Sequence, residues 1–485
     1  MSVFRSLFLL GLGRLGSTLI SLATVTYLLR RLGPEPFGLF AMASGLMALV
    51  SLLGDAGVQD SIVAEPELDE SRIGAALAAS LGMALVLVTV SLLTLPLVAW
   101  FLEKPGVELP WIAAAVTVAL HLSASVPSGL AKRAERFGLI SRVRFGGTAL
   151  ASLGAIGLAQ VRVDIWPILI WQVTVPAVAC LTLWLAMRPR IGRPTRQAAI
   201  DQWRFSKGII NFQLLNVFNR NADDVLVGKF WGERSAGHYA FCYRILTLPL
   251  GLISDLFSTV CFPRLSRLQD DREAVAIGLG DTMSQVGLLT TPLCLGLALA
   301  APELIGVVFG PAWEPALAPF RVLALLGVLA GPSRLLGLCF LVPRETQAFA
   351  RYALFATPVI VGSFCVGLPW GITGVAVAYS AALLILFPIN VIYGCKVLRA
   401  SPRPLFLGVL RGISGGALIS LPLLAACSGA RAFGLGPKWA LGLTIGVGAL
   451  TEVLLLVRLR RRGLVSSADV SDDPELKGEQ ASGQA

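Results

Sequence analysis

Apolar residues in this chain neither alternate nor keep to one helical face; they come in unbroken runs long enough to cross a bilayer. A helix needs about 20 such residues to span the hydrocarbon core. Runs of this kind lie near 6–29, 37–58, 74–102, 111–130, 146–160, 165–187, 208–228, 236–262, 284–309, 316–341, 351–369, 372–395, 405–427 and 438–457. The pattern predicts fourteen transmembrane helices, the shortest at 146–160, joined by connections too short to hold a domain. Prolines within the runs, at Pro96, Pro127, Pro249, Pro292, Pro358 and Pro388, predict kinks. Membrane helices tolerate these where neighbouring helices satisfy the freed carbonyls. Beyond Arg462 the pattern stops, and residues 463–485 are polar, without an aromatic, and read as a disordered tail.

Composition removes the alternatives. Of the 485 residues, 55% are hydrophobic and 14% charged, against roughly 25% charged in soluble domains. A water-facing globule, a disordered chain, a collagen and a coiled coil are all excluded. The net charge of +11 is spread over short connections, with no compact basic domain, so nucleic acid is not an expected partner. With the N-terminus inside, the inside connections and ends carry 26 Lys and Arg and the outside ones eight. That asymmetry puts both termini in the cytoplasm and predicts contacts with anionic membrane lipids. The eight cysteines are scattered singly and there are two histidines, His121 and His238. No disulfide framework, metal site or cofactor is expected. The first apolar run has no small-residue cleavage site after it and is expected to remain as a span.

The chain also repeats. The first span leads into Arg31-Leu32-Gly33-Pro34-Glu35-Pro36-Phe37-Gly38-Leu39-Phe40, the seventh into Phe230-Trp231-Gly232-Glu233-Arg234-Ser235-Ala236-Gly237-His238-Tyr239. Both read glycine, four residues, glycine, one residue, aromatic, at an offset of 199, and Asp55 and Asp255 follow at an offset of 200. Six spans separate the copies, so both halves point the same way, as in transporters whose path lies between parallel repeats. The glycines themselves read as tight turns between adjacent helices.

Charges inside spans are expensive, about 2.5–3.5 kcal/mol on insertion scales, and call for a reason. Arg14 and Arg220 lie within the equivalent first and seventh spans, where they could face each other across a cavity; Arg244, Arg321 and Arg334 lie nearer span ends. A guanidinium suits pyrophosphate because its planar fork donates two hydrogen bonds and stays charged. Arg220 has a competing role, since Asp223 and Asp224 follow at i+3 and i+4, and the last three arginines could instead snorkel to an interface. Asp223 and Asp224 are also candidates for taking a proton or sodium ion. Asp55 and Asp255 read as helix-pairing residues, and Asn211, Asn216, Asn219 and Asn221 make the seventh span too polar to face lipid alone.

In the stretches Leu32–Phe40 and Leu53–Gly57, in Lys132-Arg133-Ala134-Glu135-Arg136-Phe137, and in Asn221–Gly228 continuing to Gly237-His238-Tyr239, the chain resembles the polysaccharide-unit (Wzx-type) flippases of the multidrug, oligosaccharidyl-lipid and polysaccharide exporter superfamily. The resemblance covers residues 5 to 400. It implies an all-α polytopic protein of the bacterial inner membrane, with two six-helix lobes around a central cationic cavity and two further helices. Residues 1–190 would form the N-lobe, 191–207 a cytoplasmic linker, 208–400 the C-lobe, and 401–462 spans 13 and 14. The cargo implied is an undecaprenyl-pyrophosphate-linked glycan, moved by alternating access, with polysaccharide polymerase or export machinery as candidate partners. A lipid II flippase or cation-coupled exporter of the same superfamily is the nearest alternative. A membrane glycosyltransferase, polymerase or ligase fits poorly, because no outside connection is long enough to carry catalytic residues.

Overall fold

A computed structural model describes residues 2–51, 58–65, 68–103, 106–343 and 345–461, leaving aside the side chains of 2–15, 48–51, 60, 64, 203–221, 346, 452 and 454–461. Most of the described residues are helical, with no strand among them. The first half holds α1 (Ser2–Leu32), α2 (Pro34–Ser51), the short α3 (Val58–Ala64), α4 (Glu70–Leu102), α5 (Glu108–Ser123), α6 (Ser125–Arg133), α7 (Phe137–Val161) and α8 (Trp166–Met187). The second half holds α9 (Arg196–Arg267), α10 (Arg272–Leu299), α11 (Ala301–Leu304), α12 (Leu317–Ser333), α13 (Leu338–Leu341), α14 (Thr346–Gly367) and α15 (Gly371–Leu398). A final group is α16 (Arg403–Ile419), α17 (Leu421–Ala432) and α18 (Pro437–Arg461).

Eight stretches among the described residues are long and apolar enough to cross a membrane; four of them, Glu108–Arg133, Pro311–Leu341, Gln347–Leu398 and Arg403–Ala432, run through more than one helix. The short run at 146–160 belongs to a longer helix, since α7 starts at Phe137 and carries Arg142 and Arg144 in its first turns. Large apolar side chains on the outer faces, such as Leu93, Trp100, Leu153 and Leu410, are exposed. On a chain of this composition they form a lipid-facing surface.

The repeat has a structural counterpart. The 72-residue α9 is two helical arms meeting at Gly232, whose φ of 84 matches the φ of 80 at Gly33, between α1 and α2. Asp69 and Asp271 cap α4 and α10, each accepting from an amide three residues on, Arg72 N at 2.7 Å and Ala274 N at 3.0 Å. Helix α2 packs along the second arm of α9 so closely that no side chain fits between them. A methyl on Gly38 would coincide with the Glu233 carbonyl, and one on Gly237 with the Pro34 carbonyl. Under the 199-residue shift, Pro34 becomes Glu233 and Gly38 becomes Gly237, so the crossing maps onto itself. Trp313, fully buried, seals the same end: its ring lies 6.2 Å from Phe37 and 4.7 Å from Phe241, and Nε1 donates to the Leu29 carbonyl at 3.1 Å.

At the opposite end the connection between halves is sewn to the first half. Gly192 N donates to the Glu70 carbonyl at 2.9 Å, and Thr195 N to Ser71 Oγ at 3.0 Å. The Lys132–Phe137 stretch is also anchored: Lys132 Nζ donates to Gln59 Oε1 at 2.7 Å and Arg133 Nη1 to the Ile62 carbonyl at 3.0 Å, tying α6 to α3.

Helix α17 is held to α11 by a two-pronged pair, Arg431 Nε to Glu303 Oε1 at 2.8 Å and Nη2 to Oε2 at 2.9 Å. The Arg431 hydrogen bonds hold the Glu303 carboxyl below the usual carboxylate range, against the opposing effect of burial. A depressed folded value means that the pair stabilises the fold above the ordinary glutamate pKa, about 4.3, and that this is lost as pH falls through the folded value. Melting curves in detergent should therefore fall more steeply with acid below about pH 4.5 in the parent than in Glu303→Gln. Equal acid slopes would show that the pair contributes nothing.

Candidate functional site

The turn at Gly232 folds the two arms of α9 alongside each other and so brings distant polar residues together. Asp224 lies eight residues before the turn and Arg244 twelve after it, about 12 and 18 Å along their arms at 1.5 Å per residue. Asp223 is 3% exposed and accepts from the Asp224 amide at 3.1 Å. Tyr239, fully buried, sets its hydroxyl beside the Asp223 carboxyl without closing a hydrogen bond of normal geometry. Oδ1 of Asp224 is buried with no hydrogen-bond partner among the described residues, and the Arg244 guanidinium is its nearby countercharge. From α15, Tyr379 brings its hydroxyl to that of Tyr243.

The first half enters through α8. The Arg244 guanidinium lies 6.0 Å above the Trp171 ring, a cation–π contact across the seam between the halves. The two residues border a recess whose other walls include Val25, Leu28, Phe37 and Phe40. Trp171 Nε1 is buried without an acceptor among the described residues. The recess is small and apolar, with the Arg244 guanidinium and the Trp171 indole as its polar members, and no carboxylate among the described residues lines it. Unpartnered polar atoms inside a membrane bundle are costly, and a ligand that reached them would remove that cost.

The arginines named from the sequence do not gather in one place. Arg244 is at the seam, and Arg334, exposed at the end of α12, lies next to Gly251 of α9 and acts electrostatically on Tyr379. Arg321 is at the other end of α12, where Nε donates to the Ala298 carbonyl at 3.3 Å and closes the end of α10. The side chains of Arg14 and Arg220 lie outside the described residues, as do those of Asn211, Asn216, Asn219 and Asn221, and Asp55 lies outside them altogether. In the 199-residue register Arg14 corresponds to position 213, seven residues from Arg220. Asp255 is exposed, twelve residues before the end of α9, with no ion pair among the described residues. Trp171, Tyr243 and Tyr379 do not stand out in the sequence, and Tyr239 does so only as the aromatic of the repeat. A signal was present: the chain has six tyrosines, and half of them converge here.

Residues 27–318 match the model of a family described as polysaccharide biosynthesis protein, more than half of the chain and the whole of the glycine crossing. The chain belongs to the polysaccharide biosynthesis protein family. Two relatives show how far this polysaccharide biosynthesis protein has diverged. The lipopolysaccharide biosynthesis protein WzxC of Escherichia coli strain K12 is 22% identical over 378 residues, 76% of this chain and 73% of that one. The succinoglycan biosynthesis transport protein ExoT of Rhizobium meliloti strain 1021 is 26% identical over 324 residues, 66% of this chain and 64% of that one. Among solved structures, the lipid II flippase MurJ in an inward closed conformation superposes with a TM-score of 0.72 at 14% identity, over 94% of this chain and 100% of that one. This polysaccharide biosynthesis protein thus shares the polytopic all-α fold of that structure. The family match takes in Asp223, Asp224 and Arg244 and stops short of Arg321 and Arg334.

Proposed function

We propose that this polysaccharide biosynthesis protein is a flippase that moves undecaprenyl-pyrophosphate-linked oligosaccharide units across the bacterial inner membrane for surface polysaccharide synthesis. The observation that carries this reading is the Asp223–Asp224–Tyr239–Arg244 cluster, with Asp223 and Tyr239 buried and Asp224 and Arg244 half-buried, which meets Trp171 at the seam between two halves of like construction. The printed names of the relatives, one for lipopolysaccharide biosynthesis and one for succinoglycan transport, agree with such a cargo. The protein acts as a transporter and not as an enzyme, with polymerase or export machinery as its partners.

Both termini lie in the cytoplasm, as the charge asymmetry of the connections requires, and the Gly33 end then faces outward. Residues 1–190 and 208–400 move as lobes joined by 191–207, with 401–462 outside them. Arg244 and Arg334, with Arg14 and Arg220, draw the pyrophosphate into the path between the lobes, the glycan follows, and the polyprenyl tail stays in lipid. Rocking of one lobe on the other exposes the load outside. Asp223 and Asp224 take up the coupling cation.

Leaflet-resolved transfer of a fluorescent undecaprenyl-pyrophosphate oligosaccharide in proteoliposomes tests the reading. The parent should transfer it, and imposing a proton or sodium gradient should change the rate. In Asp223→Asn the gradient should have no effect. A parent that moves none of the probe, with either gradient, would overturn the assignment.

A further inference from the structure

Arg30 and Lys229 occupy the same place in the two repeats, each three residues ahead of the positive-φ glycine that turns the chain, Gly33 or Gly232. Each reaches away from its own half. Arg30 Nη1 donates to the carbonyls of Val307 at 2.9 Å and Val308 at 3.3 Å, in the last helical turn before Gly310. Lys229 Nζ donates to the Phe101 carbonyl in the last turn of α4, and lies 3.1 Å from Glu103 Oε1 just beyond it. One bond runs from first half to second, the other from second half to first. Both end on the same kind of acceptor.

That acceptor explains the choice of residue. The last carbonyls of a helix have no intrahelical donor and carry the negative end of the helix dipole, so a cation with N–H groups satisfies both. Arg30 and Lys229 are also in the closing turns of their own arms, where the same dipole favours them. Their environment differs from that of the glycine crossing: Arg30 is exposed, and the Lys229 side chain keeps 24% of its surface open to solvent. Water can replace these bonds when the halves part, whereas the buried packing around Trp313 has no such substitute.

We propose that Arg30 and Lys229 form a crossed pair of clasps that holds the Gly33 end shut and sets how often it opens. They are positioning residues for the transport cycle. The proposal rests on the alternating-access reading but not on the identity of the cargo.

Spin labels at Leu109 and Trp370, both exposed at that end and in opposite halves, report the separation by pulsed dipolar spectroscopy. The full chain in proteoliposomes is used, with Cys180 and Cys365 replaced by serine because the other six cysteines are buried. Charged hydrogen bonds of this kind correspond to about a tenfold change in an equilibrium each. Arg30→Met and Lys229→Met should each raise the ratio of open to closed about tenfold, and the double variant about a hundredfold. Arg30→Lys and Lys229→Arg, which keep a cationic donor, should stay near the parent. An unchanged distance distribution in the double Met variant overturns the proposal, whether or not its melting temperature drops. So does a shift in Arg30→Lys and Lys229→Arg as large as in the Met variants. The distances are read without cargo, so a chain that flips no lipid-linked sugar leaves this result standing.

Discussion

Gly38→Ala should cut transport more than tenfold, and Gly237→Ala should do the same. In each case the new methyl falls on a backbone carbonyl of the other half, Glu233 or Pro34. A flexible side chain could swing aside; a carbonyl within a helix cannot, so α2 and α9 must separate. Overpacking of a tight contact costs about 1–3 kcal/mol where neighbours can adjust, and more where they cannot. Trp313, whose indole bridges to the Leu29 carbonyl, would lose its seat as the helices part. Gly33→Ala is the control from the same motif. Nothing lies within 4 Å of the added methyl, and only the positive φ of 80 opposes it, about 1–2 kcal/mol for a left-handed residue. That variant should melt a few degrees lower and still transport. Leaflet-resolved transfer, read beside melting temperature, checks all three; normal transfer by Gly38→Ala would show that the crossing does not need to close.

Arg244→Ala carries the second large effect. It strands Asp224, whose Oδ1 already has no hydrogen-bond partner among the described residues, without its countercharge. Arg244 acts on Asp224 through space and not by a direct ion pair, so the loss should fall below the about 3–5 kcal/mol of breaking a buried pair, and the half-buried setting of Arg244 lowers it further. Adding Asp224→Asn should restore most of the stability, because an amide does not need the cation. Transport should not return with it, since the double variant still lacks the guanidinium over Trp171. The two melting temperatures and two transfer rates form a double-mutant cycle. Recovery of transport in Arg244→Ala with Asp224→Asn would make the pair purely structural.

What could be read from the sequence follows from how far each signal reaches. Spans announce themselves locally, because a bilayer sets their length. The repeat was visible because Gly33, Gly38, Gly232 and Gly237 sit in one spacing. Arg321 shows the limit: inside an apolar run it resembled a cavity residue, yet it serves the end of α10 through Ala298. Nothing near it in sequence says so, since the two positions lie on different helices. Arg244 could be picked out for its charge, but its partner Trp171 could not. Indole rings are common at membrane boundaries, and the contact joins residues from different halves. The carbonyl acceptors of Arg30 and Lys229 are hidden for a simpler reason: every residue has a carbonyl, and only folding decides which ones are left without a donor.

The crossing of Pro34 and Gly38 with Glu233 and Gly237 has the geometry of an isologous interface, the kind that joins two identical subunits about a dyad. In a true homodimer every substitution appears on both sides at once. Here the two sides share one chain and can change separately, and they have done so. Thr24, Val25, Phe40 and Gly45 stand where the second half has Asp223, Asp224, Tyr239 and Arg244. A dimer of equal subunits would carry such a charged cluster twice or not at all. Joining the copies in one polypeptide allows a symmetric frame to hold a single, one-sided one.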